Sequence, residues 1–231
     1  MSFNWRIGLG DPVTYSVRRQ YLDRDLNAES GLLNGRVLEV GCGRLGRRGR
    51  FRPPTEGILR WTYLDRDLAR SPDVCADATC LPIRDSAFDA VVCLEVLEYV
   101  WRPPLALKEI NRLLRPDGTL LLSTPFFHRV DTPDDYWRFT EPALRRLLHE
   151  AGFEVVQCIA EGGALAVAAS VLRYVVSVCS FRTRRALSIV LRPLFAGLRW
   201  ADPSMVRRHA ELGTFATGYL VVARKGTTKR R

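Results

Sequence analysis

Lysine is almost missing from this sequence. Lys108, Lys225 and Lys229 stand against 32 arginines in 231 residues. Such a skew is what GC-rich coding produces, so the Arg:Lys ratio alone carries no function. The net charge of +10 is a separate matter. It favours an anionic partner: a phosphate-bearing substrate, a lipid headgroup or nucleic acid. No RNA-binding module is recognisable, which makes nucleic acid the least favoured of these. Histidine is scarce as well, with three residues. None of the six cysteines (42, 75, 80, 93, 158, 179) falls in a CxxC pair or beside a histidine at ligand spacing. That excludes the usual zinc sites, and no metal is expected; the cysteines read as small buried hydrophobes in a reducing compartment. No apolar segment follows Met1–Arg6, so no secretory signal is visible and a cytoplasmic location is expected.

The length suits one domain carrying an insertion better than two domains. Residues 1–35 hold a lead-in helix, with Tyr15, Val17, Tyr21, Leu22 and Leu26 at helical spacing. From residue 36 to 224 short apolar runs alternate with connections. The expected strands are Val37–Val40, Leu59–Leu64, Val74–Ala76, Phe88–Leu94, Thr119–Ser123, Phe153–Ile159 and Phe215–Ala223. Helices are expected over Leu105–Leu114 and Pro142–Ala151, and 225–231 is a basic tail. Strands separated by helices imply an α/β fold with a mainly parallel sheet covered on both faces. Ligands of such sheets bind beyond the carboxyl ends of the strands, where Asp65, Asp77 and Glu95 all fall.

The stretch Arg36–Gly46 is the centre of this pattern. A buried strand breaks into Gly41-Cys42-Gly43, where backbone can approach a ligand closely because no Cβ intervenes. Gly41–Gly46 formally matches GxGxxG, with Asp65 about 20 residues on, as in dinucleotide sites. The residues after Gly46 (Arg-Arg-Gly-Arg-Phe-Arg-Pro-Pro) lack the apolar helical stripe which that site requires.

A second comparison fits better. Val37–Gly43 (VLEVGCG), Ala76–Pro82 (ADATCLP), Asp85–Val100 and Glu109–Leu120 occur in order, and together they resemble the class I S-adenosylmethionine-dependent methyltransferases. The resemblance is strongest to the bacterial type 11 group, and it covers about residues 35–160 and 214–224. It implies a Rossmann-like seven-stranded sheet, mostly parallel, with an antiparallel last strand; between strands six and seven that fold needs only a short connection, so the fifty or so residues found there read as a helical insertion. It implies S-adenosylmethionine as cofactor. Glu39 would orient the glycine turn, and Gly41, Cys42 and Gly43 would admit the methionine end. Asp65, with Asp67 as its rival, would accept the ribose hydroxyls. Asp77 and the Ala78 amide would meet the adenine, and the carbonyl of Cys93 or Leu94 the ammonium.

Amine-methylating relatives resemble one another in an Asn/Asp-Pro-Pro-Tyr/Phe motif after strand four. Leu94-Glu95-Val96-Leu97 stands here instead, which leaves O- or C-methylation. The aromatic loop 124–140 lies where acceptor pockets form, and its Pro133–Thr140 segment is similar to one in bacterial methyltransferases encoded with polysaccharide-biosynthesis enzymes. His128 is the first candidate base. Glu95, Tyr136, Trp137 and Arg138 would face the acceptor, or the last three would anchor the loop with Arg138 paired to Asp134 or Asp135.

Residues 162–213 form the insertion. From 162 to 201 there are six arginines and no acidic residue. Ala164–Phe181 and Arg182–Trp200 read as a helix pair, with Arg185, Arg192 and Arg199 seven apart on one face and Pro193 as a kink. Three roles fit: peripheral contact with anionic lipid at the inner membrane face, a cap over the acceptor pocket, or a homodimer interface. A transmembrane span is disfavoured, since Arg173 bisects its only candidate. The expected activity is methylation of a hydroxyl on a small-molecule, glycan or lipid-linked acceptor. The alternatives are an RNA methyltransferase and a non-catalytic S-adenosylmethionine-binding protein.

Overall fold

The computed structural model describes residues 15–43 and 49–226. Arg44–Gly46 of the glycine motif, residues 1–14 of the lead-in segment and 227–231 of the tail lie outside them.

The apolar runs form the middle of one seven-stranded sheet. Its strands are β1 (Gly35–Val40), β2 (Ile58–Asp65), β3 (Val74–Cys75), β4 (Phe88–Leu94), β5 (Leu114–Pro125), β6 (Phe153–Ala160) and β7 (Gly218–Lys225). They lie in the order β3-β2-β1-β4-β5-β7-β6. β7 runs antiparallel to both neighbours, and the other pairings are parallel. The strand order reverses between β1 and β4, which pair from Val37↔Ala90 to Val40↔Cys93. Val37, Leu38, Val40, Val91, Val92 and Cys93 are all buried there, as in central strands covered on both faces.

The helices are α1 (Val17–Glu29), α2 (Pro103–Leu113), α3 (Glu141–Glu150), α4 (Ala164–Ser177), α5 (Phe181–Val190) and α6 (Arg192–Arg208). α2 starts two residues earlier than its apolar stripe suggests. Two prolines occupy its first turn, where the missing N–H would have had no helical partner. Its buried face is Ala106, Leu107, Ile110 and Leu113, while Leu105, expected on that face, is exposed. α2 ends at Leu113, ahead of the turn residues Arg115–Gly118, but β5 begins at Leu114 and not at the expected Thr119. Phe88 pairs with Leu114 and Ala90 with Thr119, so residues 115–118 bulge out of a longer β5. β7 begins at Gly218 and continues through Lys225, so the expected Phe215 start and the start of the tail both shift.

The chain divides into two compact units: residues 23–160 with those from 218 on, and residues up to 22 with 161–217. The second contains three helices of the insertion where a pair was expected. Ser180 caps α5 through the Thr183 amide and separates it from α4. Pro193 starts α6 and does not kink it, so Arg185 and Arg192 lie on different helices. Val17, Tyr21, Ala166 and Ala169 form this unit's core, with Phe195 and Leu198 packed on it. Asp202 is buried and supplies the cap that Gly163 cannot. Its carboxylate accepts from the amides of Gly163, Leu165 and Ala166 (2.7–3.1 Å) and from the Tyr21 hydroxyl (3.2 Å). A carboxylate there meets the orphan N–H groups and the positive end of α4. No helix among the described residues is long and apolar enough to cross a membrane.

Candidate active site

The site grows from the glycine turn. Gly41 and Gly43 have φ of 72° and 55°, in the left-handed region that favours glycine. A Cβ on Gly41 would lie 2.1 Å from Val96 Cγ2, so the turn packs against the segment after β4. A Cβ on Gly43 would meet nothing within 4 Å, because that position faces an open cleft. The amides of Gly41 and Cys42 donate to the Leu64 carbonyl (2.8 and 3.0 Å), and the Gly43 amide donates to Asp65 Oδ2 (2.8 Å). The turn is thereby stitched to the end of β2.

The cleft has a volume of about 580 Å3, within the range of small-molecule sites. Gly41, Gly43, Asp65, Asp67, Asp77 and Ala78 are among its lining residues. Asp65 Oδ1 accepts from the Asp67 amide (3.0 Å). Each Asp65 oxygen thus uses one lone pair on backbone and keeps another for a ligand. Asp67, its rival, caps the turn Leu68–Arg70 and pairs with Arg70 at 3.1 Å. Asp77 Oδ1 accepts from the Thr79 hydroxyl (2.6 Å) and amide (2.8 Å), bonds that hold its carboxyl below the usual range.

Glu95, Val96, Tyr99, Trp101, Arg102 and Tyr136 line it as well. Glu95 carries a φ of 58°, a strained value for a residue with a side chain. Two contacts to β5 hold it: its amide donates to the Ser123 carbonyl (3.0 Å), and its Oε1 accepts from Ser123 Oγ (2.8 Å). Burial, and then the charge of Glu98, push the Tyr99 hydroxyl up to about 12. Asp134 accepts from Arg66 (2.8 Å) and from the Tyr136 hydroxyl (3.1 Å), linking the loop after β5 to the segment after β2.

Several expected residues are not among those lining the cleft. Glu39 is buried in β1 and accepts from Trp61 Nε1 at 2.9 Å. Cys42 and Cys93 are buried and Leu94 half-buried; the role expected at 93 or 94 is that of a backbone carbonyl. His128, the candidate base, is also absent from the lining. Its Nδ1 lies 2.9 Å from the Arg129 carbonyl and 3.7 Å from Asp131 Oδ2. Trp137 donates from Nε1 to the Val100 carbonyl (3.0 Å). Arg138 grips Asp135 with both terminal nitrogens and donates to the carbonyls of Arg129 and Trp137 (2.9 and 2.7 Å). Of the two roles considered for this cluster, Arg138 performs loop anchoring, while Tyr136 lines the cleft.

Sequence reasoning missed Tyr99, Trp101 and Arg102. The turn Leu97–Tyr99 right after β4 brings them to the cleft. The signal was Pro103-Pro104, which marks a helix start and leaves 95–102 as a loop at the strand ends.

The residues present fit S-adenosylmethionine. Asp65 has free lone pairs for two hydroxyls, Asp77 and the Ala78 backbone offer polar edges to a base, and Gly43 leaves room where a Cβ would intrude. A family described as a methyltransferase domain matches residues 59–122. Among curated proteins, the ubiquinone biosynthesis O-methyltransferase of Neisseria meningitidis (serogroup A) is 27% identical over 60% of this chain and 70% of its own length. The fatty-acid O-methyltransferase of Mycolicibacterium smegmatis is 34% identical over 56% of this chain and 52% of its own. The chain thus spans about half the length of several curated relatives it matches. Among solved structures, the [4+2]-cyclase SpnF aligns with a TM-score of 0.59 at 22% identity, covering 91% of this chain and 81% of its own. The 1,6-didemethyltoxoflavin-N1-methyltransferase of Burkholderia thailandensis, with bound S-adenosylhomocysteine, aligns with 0.53 at 21% identity, covering 92% and 80%. At such identities these two structures speak for the fold alone. Sequence match and strand order agree: the chain is similar to S-adenosylmethionine-dependent methyltransferases over residues 59–122 and has the sheet of their class I fold.

Proposed function

We propose that this protein transfers a methyl group from S-adenosylmethionine to a hydroxyl oxygen of a small-molecule, glycan or lipid-linked acceptor. The observation that carries the reading is that Asp65, Asp77 and Glu95, from the ends of three different strands, line one cleft. Two relatives whose names specify O-methylation support oxygen as the acceptor atom. The lack of an Asn/Asp-Pro-Pro-Tyr/Phe motif at 94–97 points the same way.

When bound, S-adenosylmethionine supplies a methyl carbon on a positively charged sulfur, already activated toward a nucleophile. The chain's own task is therefore alignment and proton removal. Asp65 would accept the ribose hydroxyls and Asp77 the adenine amino group, which would hold the donor at the strand ends. Glu95 is the carboxylate beside the acceptor side of the cleft. It would take the proton of the acceptor hydroxyl as that oxygen receives the methyl group. Tyr99 keeps its proton at neutral pH and serves as a donor or a wall, not a base. Trp101 and Tyr136, edge to face at 5.1 Å, line the same cleft as Glu95 and offer the acceptor an aromatic surface.

The test is incubation with a methyl-labelled donor and fractionated cell extracts. Label in an organic-soluble or glycan fraction as a methyl ether or ester is the expected result. Label in RNA, or donor binding with no transfer to any fraction, would replace this reading with one of its two alternatives.

A further inference from the structure

Beside the cleft runs a second, apolar groove of about 480 Å3, lined by Trp101, Leu105, Trp137, Phe139 and Leu147 with Arg102 at its mouth. Phe139 in its lining is buried, but three of its apolar residues are left in contact with solvent. Leu105 lies off the buried face of α2 and is 40% exposed; Trp101 and Trp137 are 64% and 38% exposed. Contiguous exposed apolar surface of this kind marks a binding site more often than chance. Two observations connect it to the reaction. Trp101 and Arg102 line the cleft and the groove alike. The rings of Tyr136, Trp101, Trp137 and Phe139 also follow one another at centroid spacings of 5.1, 6.3 and 6.2 Å, a continuous aromatic row from one cavity into the other.

The cations of the cleft differ in their state. Arg66 pairs with Asp134 and Arg70 with Asp67, whereas Arg102 forms no ion pair among the described residues. An exposed guanidinium at the junction of a polar cleft and an apolar groove suits a carboxylate or phosphate ester attached to an apolar chain.

We propose that the acceptor is an anionic amphipath whose apolar chain lies in this groove while its anionic group meets Arg102. The assignment rests on the methyltransferase reading, since it places the acceptor's reacting end beside Glu95. The chain would bury methylenes against Leu105, Leu147 and the two indoles. Affinity should then rise about fourfold for each methylene added until the groove is full.

The experiment uses the full chain and a ladder of straight-chain alkanoates from butanoate to tetradecanoate, with octanol as the uncharged comparison. Calorimetry is run on the wild type, Leu105→Asp and Arg102→Gln, with S-adenosylmethionine affinity measured separately. The wild type is expected to show rising affinity along the ladder and to prefer octanoate to octanol. Leu105→Asp should flatten the ladder with donor affinity unchanged, and Arg102→Gln should abolish the headgroup preference. Affinity independent of chain length in the wild type overturns the proposal. So does a Leu105→Asp variant that keeps the ladder but turns a sedimenting dimer into a monomer, because the groove would then cover a second copy. Alkanoate binding without donor binding would leave the groove standing and remove the methyltransferase reading alone.

Discussion

The carboxylate of Asp65 at the end of β2 accepts the Gly43 amide of the turn after β1 at 2.8 Å. One side chain therefore shapes the turn and faces the ligand. Asp65→Ala is expected to weaken S-adenosylmethionine binding by roughly 2–3 kcal/mol, the scale of losing charge-assisted hydrogen bonds. Asp65→Asn should fall between, since one oxygen remains an acceptor. Calorimetric affinity within twofold of wild type for Asp65→Ala would remove this residue from the donor site.

Glu95 and His128 make opposite predictions. Glu95→Gln is expected to lower kcat by about 100-fold or more, the usual weight of a general base, with donor affinity little changed. His128→Ala should keep full turnover at saturating acceptor. Steady-state kinetics on both variants decides between them, and a silent Glu95→Gln would move the base elsewhere.

The Asp135 side chain is buried, and its hydrogen bonds with Arg138 hold its carboxyl below the usual carboxylate range. A lowered folded-state pKa gives stability that is present above the unfolded value, about 4, and is lost as pH falls below it. Acid titration followed by Trp101 and Trp137 fluorescence should show loosening of the loop below about pH 4. Asp135→Asn should flatten that response.

Arg138→Ala strips the same carboxylate of its partner and leaves the carbonyls of Arg129 and Trp137 without a donor they now use. The expected loss is roughly 3 kcal/mol of stability, read as a lower midpoint in urea. An unchanged midpoint would show that this loop adds nothing to global stability.

The helical unit exposes Phe181 (68%) and Trp200 (85%) among the arginines of a segment without acidic residues from 162 to 201. Flotation of the full chain with phosphatidylserine-rich vesicles at low salt is expected, weakening as salt screens the guanidinium charges. Trp200→Ser should weaken it further. A chain that stays in the pellet fraction at low salt would end the membrane role.

The strands and their order of use were legible because period-2 and all-apolar runs survive in any context, and because Asp65, Asp77 and Glu95 each end such a run. What was not legible has specific causes. Arg115-Pro116-Asp117-Gly118 has turn chemistry, but a sheet absorbs such a turn as a bulge without ending the strand. Leu105 and Leu107 are the same residue type two positions apart, so composition could not tell the buried one from the exposed one. Arg182–Trp200 reads as one continuous helix because Pro193 is allowed in a first turn as well as at a kink. His128 drew attention as a titratable residue in an aromatic loop, yet its own backbone neighbour at Arg129 and Asp131 occupy its Nδ1 side.

The sheet order has a consequence for how the chain is made. β7 is the last of these strands to leave the ribosome, yet it lies between β5 and β6. Until it arrives, β5 and β6 each present a row of unpaired backbone groups, with the whole helical segment already synthesised. Closure is thus a late event with distant partners: Leu122 waits for Val221, 99 positions away. Nascent chains stalled just before Gly218 should carry two sticky edges that invite chaperones or self-association.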